Sequence, residues 1–158
     1  MRDAPEGFAN YCALPNVRTP WELLWHMTGV IGYARTMLRG DTYAPPKLDS
    51  FDAEVARFHA MLAELRDAFA DPALSARITD EQFLQGPLAD AMTHAGQLAM
   101  LRRFAGKPVP SEDFIFADVR ADNVSRDQPS PRAPDLWWHP DDPPPSPGPD
   151  HPSRPRTP

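Results

Sequence analysis

Proline decides where this chain can be regular. Of its 21 prolines, 12 fall between Asp127 and Pro158, in a stretch otherwise made largely of Ser, Asp and Arg. Each proline removes a backbone donor and locks φ, and so little apolar content cannot build a core. The stretch is expected to be a disordered tail with polyproline II character. Leu136, Trp137 and Trp138 form its apolar cluster, expected to dock loosely on the folded part rather than to bind a partner. The folding unit is therefore expected over residues 1–126 and the tail over 127–158. About 120 residues suffice for one domain with one core.

The remaining prolines sit where helices start and stop. Thr19 can cap a helix that has Pro20 at its first position and Glu22 as the partner of a capping box. Leu23, Met27, Val30, Ile31, Ala34 and Leu38 then form an apolar stripe, and Gly40 closes the helix behind Arg35 and Arg39. A proline-bearing loop leads to a second helix after Asp49 or Ser50. Its stripe is Val55, Phe58, Leu62, Leu65 and Phe69, and Asp71-Pro72 ends it. A short helix from Thr79, boxed by Gln82, is expected to stop at Gly86. The third long helix is expected to start at Pro87, with Ala91, His94, Leu98, Leu101 and Ala105 inward, and to end at Gly106 and Pro108. Ser111 to Val124 has no helical period, and Phe114, Ile115, Phe116 and Val119 are expected to cover one end or side of the bundle. The fold class is all-α, with helices packed near antiparallel.

Several function classes fall away. Net charge is −6 with the signs mixed along the helices, and no basic patch suggests a nucleic-acid partner. No run of eighteen apolar residues suggests a membrane span. Met1 to Asn10 does not read as a secretory signal, and the single cysteine, Cys12, suits a reducing compartment, so the expected localisation is cytoplasmic. Cys12 reads as an incidental thiol.

What chemistry the chain carries lies in three side chains. Asp90 and His94 stand four residues apart, one helical turn, and so project from one face. His94 lies in the middle of its apolar stripe, where an imidazole is unfavourable unless its nitrogens find partners. His26 lies near the apolar side of the first helix. A bundle joining these helices would surround one interior point with three N/O ligands and leave a coordination position open. Each has a plainer reading: a core histidine satisfied by a hydrogen bond, or an acid favoured by the helix dipole at Asp90. Gln97 is placed to orient a ligand or a bound water, or is equally an ordinary boundary residue. Glu22 reads first as a capping residue and only then as a spare ligand. His59 could add a fourth ligand, although a solvent-facing side chain or an interhelical hydrogen bond is the simpler reading; His139 and His151 lie in the tail. Gly29 and Gly32, each unfavourable in a helix by about 1 kcal/mol, imply that another element comes close on that side.

The stretches TPWELLWHMTGV and GPLADAMTHAGQLAMLRRFAGKPVPSEDF resemble the DinB-like (damage-inducible) helical bundle proteins, over about Phe8 to Arg126. The resemblance implies a four-helix up-down bundle holding a divalent metal, commonly Zn²⁺ or Ni²⁺. It places His26 and His94 at two ligand positions and Asp90 where many relatives have histidine. It also implies that the family's first helix is missing or replaced. Either the true start lies upstream, or the segment before Thr19 wraps irregularly, or a second chain covers the gap, since such proteins are often homodimers. Some relatives use the metal to activate a low-molecular-weight thiol, such as mycothiol or bacillithiol, against an electrophile. The implied activity is that of a metal-dependent thiol S-transferase or a hydrolase. The rival expectation is a catalytically inactive bundle acting as an interaction or dimerisation module.

Overall fold

The computed structural model describes residues 3–130 and 132–134. The Leu136–Trp138 cluster, His139, His151 and most of the proline-rich stretch lie outside the described residues. Helices form where the apolar periods lie: α1 (Pro20–Arg39), α2 (Phe51–Ala70), a one-turn α3 (Asp80–Phe83) and α4 (Ala89–Phe104). The described residues hold no strand beyond an isolated bridge between Glu112 and Pro134. No described helix is long and apolar enough to cross a membrane.

The expected caps are in place. The Thr19 hydroxyl accepts from the Glu22 N–H, and the Glu22 carboxylate accepts from the Thr19 N–H at 2.8 Å. Gly40, at φ 74°, ends α1 in the left-handed conformation that favours glycine. Thr79 and Gln82 form the second box, at the head of α3.

Directions follow from which residues meet. Near the start of both helices the Trp21 ring of α1 meets Phe51 of α2, with centroids 6.5 Å apart. Further along both, Arg35 pairs with Glu64 at 2.5 Å. Thus α1 and α2 run the same way. Leu88, just before α4, and Ala91 in its first turn pack against the core around Ile31, Ala34 and Leu38 of α1, whereas Leu98 and Leu101 pack with Leu23 and Met27. So α4 runs opposite to α1. The expected antiparallel packing holds for α1 with α4 and not for α1 with α2.

The loop explains why. Parallel neighbours require the connection to return along the full helix, roughly 30 Å for twenty residues. The eleven residues Gly40–Ser50 can reach about 36 Å when extended. Pro45 and Pro46 favour that extended form. Tyr43 lies on Gly32, and Lys47 lies over the Trp21 ring at 4.8 Å, so the strap retraces α1 from end to start. Arg57 of α2 fastens it by donating to the Pro46 carbonyl at 2.8 Å.

The core has two centres. One joins Ile31, Ala34 and Leu38 to Met61, Leu65, Ala68 and Phe83; the other joins Leu23, Met27, Leu98 and Leu101 to Phe8. Phe8 comes from a 3₁₀ turn, Phe8–Asn10, that brings the segment before α1 onto the bundle. The buried Arg102 guanidinium donates to the Asp3 carbonyl and so ties this segment to the end of α4.

Three expectations change. The short helix does not stop at Gly86, and the third long helix does not start at Pro87. Leu84–Leu88 is a wide π turn that carries α3 into α4, with the Ala89 N–H reaching back to the Leu84 carbonyl. A π turn leaves room for a proline ring and its missing donor, which an ordinary α turn would not. Phe69 is 47 % exposed, because the inward face of α2 runs through Met61 and Ala68 and buries Glu54, whose carboxylate is paired with Arg57. Phe114, Ile115, Phe116 and Val119 are exposed rather than buried against the bundle. Their segment is held through polar contacts instead: the Val124 carbonyl lies 3.0 Å from His59 Nδ1, and Asp113 N–H bonds the Ala133 carbonyl.

Candidate metal centre

His26 projects from α1 towards α4, and Asp90 and His94 project back from α4 one turn apart. Asp90 lies between the imidazoles: its Oδ1 is 3.1 Å from His94 Nε2 and its Oδ2 is 3.5 Å from His26 Nε2. The two rings meet edge to face, 4.8 Å between centroids and 83° between planes. One donor atom from each residue lies within 4.8 Å of the others, and no other group of three His, Cys, Asp or Glu does so among the described residues.

The donor set suits a divalent ion. Two imidazole nitrogens and a carboxylate oxygen form a mixed set typical of a transition-metal site with one position open. Bonds of about 2.0–2.1 Å in a tetrahedron space donors about 3.3 Å apart, and the two contacts to Asp90 bracket that spacing. The side chain of His94 is 13 % exposed and that of His26 35 %, so a wider donor spacing can close through the freer ring.

Gln97 contacts the more buried imidazole. Its Oε1 lies 2.7 Å from His94 Nδ1. With Nδ1–H donating there, the lone pair of Nε2 faces Asp90 and the centre of the site, the tautomer that ligation needs. Burial holds the His26 pKa below its ordinary value; the charge of Arg18 acts in the same direction, and Asp90 opposes both. His26 is therefore neutral at neutral pH, the form that binds metal.

The other candidates are elsewhere. Glu22 is engaged at the head of α1, where the Thr19 hydrogen bonds hold its carboxyl below the usual range. His59 hydrogen-bonds the Val124 carbonyl and adds no fourth ligand. Cys12 is exposed, with its thiol 3.1 Å from the Leu14 carbonyl.

Beside the ligands opens a cleft of about 730 Å³ between α1, the Gly40–Ser50 strap and the π turn. Trp25, Gly29 and Tyr33 line it from α1, and Gly86 and Pro87 line it from the turn. Sequence reasoning missed this cleft, although Trp25, Gly29 and Tyr33 recur every four residues and so share a face with one another. Gly32 meets the close approach expected of it, since an added Cβ would overlap the Tyr43 ring; Gly29 faces open space instead.

The π turn also weakens the plain reading of Asp90. The helix does not begin there, so Asp90 is not beside a set of free N–H groups whose dipole would draw an acid. Fold and site together define a helical bundle with a candidate cation centre between two antiparallel helices. No family model, no curated protein and no solved structure matches this chain.

Proposed function

We propose that the chain is a divalent-metal-binding helical bundle of the DinB-like kind, with His26, Asp90 and His94 as ligands and Zn²⁺ or Ni²⁺ as the ion. The observation that carries this reading is the convergence of three donor atoms within 4.8 Å, with Gln97 orienting the more buried imidazole. A cation there supplies an acidified water or a low-molecular-weight thiol as nucleophile, the chemistry of a hydrolase or a thiol S-transferase. The chain's own part is to hold three donors on two helices, to keep His26 neutral and to leave the cleft side open to a reactant. The compartment that fits this reading is the cytoplasm. The chain purified without chelator should carry about one divalent ion, measured by elemental analysis, and His94→Ala should lose it. Unchanged ion content in that variant overturns the assignment.

A second reading has its own observation. Met92, Met100 and Phe104 recur along α4 and are 64 %, 51 % and 57 % exposed, an apolar row suited to pairing with another copy of the chain. Under that reading the bundle is an inactive dimerisation module, and acid–imidazole contacts alone satisfy His26 and His94. A wild-type chain free of metal and dimeric in sedimentation would favour it.

A further inference from the structure

The cleft beside the ligands differs in chemistry from the ligands themselves. Its walls are the Trp25 and Tyr33 rings, Val30, Pro45 and Pro87, and apart from the Tyr33 hydroxyl and the Trp25 indole N–H its polar side chains are the ligands His26 and Asp90. No lysine or arginine lines it. A reactant with several acidic groups would be stripped of water there without a counter-charge, which is unfavourable. An apolar or aromatic group would be favoured, and a volume of about 730 Å³ falls in the range of small-molecule sites. Two glycines keep this space clear. A Cβ added at Gly29 or Gly86 would meet nothing within 4 Å, so neither lacks a side chain for want of room in the fold. Gly29 in mid-helix is a residue that packing alone does not call for.

From this we infer that the cleft binds the apolar or aromatic body of a reactant bearing one anionic donor atom, with that atom at the His26–Asp90 end. The inference rests on the metal-site reading and names the substrate class of that site. Charge supports it: a divalent ion held by two imidazole ligands and one carboxylate would keep one positive charge, the complement of a single anionic donor. A charged thiol cofactor would have to lie outside these walls, and the occupant of the cleft is the apolar reactant.

The test uses two probes with one metal-binding head, acetohydroxamate and benzohydroxamate, titrated calorimetrically into the full chain loaded with Zn²⁺ and checked for zinc content. Burying the phenyl ring should make benzohydroxamate bind about tenfold tighter or more. Gly29→Leu fills the cleft and should bring the ratio of the two affinities close to one. Tyr33→Ser removes one wall at an exposed position and should reduce the advantage severalfold, which keeps the test informative if Gly29→Leu folds poorly. Equal affinity of the two probes for the zinc-loaded wild type, or an advantage that survives both substitutions, overturns the cleft assignment alone. A wild-type chain that takes up no zinc overturns the metal reading and this inference with it.

Discussion

At the scale of single residues, two glycines three positions apart on α1 do opposite work. The Tyr43 ring occupies the space a side chain would need at Gly32, whereas Gly29 borders open space. Gly29→Ala should therefore raise stability by about 0.5–1 kcal/mol, the usual helical preference for alanine. Gly32→Ala should lower it by about 1–3 kcal/mol, because the ring must move bodily. Urea denaturation of both variants checks the contrast, and like signs would contradict the packing described. His26 carries a second prediction. Its folded pKa is lowered, chiefly by burial, so between that value and the ordinary value of about 6.5 the unfolded chain binds more protons than the folded one. Its contribution is thus present above pH 6.5 and lost as pH falls through the lowered value. With chelator present, the urea midpoint should drop from pH 7.5 to 5.5, and His26→Gln should flatten that slope.

At the scale of elements, the Gly40–Ser50 strap is only slightly longer than its task requires. Deleting two of its residues removes about 7 Å of reach, so α1 and α2 could no longer lie parallel in register. Such a deletion should lower the melting temperature sharply, whereas a two-residue insertion should change it little, because lengthening a loop costs a few tenths of a kcal/mol. Calorimetry distinguishes the two. What the sequence made legible follows the same line. Caps at Thr19, Gly40 and Thr79 and the stripes of α1 and α4 are local signals, and His26, Asp90, His94 and Gln97 could be placed from them. Helix direction was not legible, because it depends on how far a loop returns and not on any stripe. The π turn was hidden because Gly86-Pro87 carries the usual signature of one helix ending and another beginning. Phe114, Ile115 and Phe116 misled for a related reason: apolar character says what a residue prefers to touch, not that a partner surface lies within reach.

At the scale of the whole molecule, the candidate site is where α1 and α4, far apart in sequence, are joined. A ligand that binds only the folded state stabilises it by mass action, about 2.7 kcal/mol at a hundred times its dissociation constant. For a domain of this size that corresponds to a rise in Tm of roughly 10 °C. Zinc should produce such a shift in the wild type, EDTA should reverse it, and His94→Ala should show neither change in a thermal melt. All three donors come from α1 and α4, and α2 contributes none. Charging the site would thus brace the α1–α4 flank directly and leave α1 and α2 to the apolar packing that already joins them. The α1–α2 seam, where Glu64 meets Arg35, would keep the same local opening free energy with and without the ion.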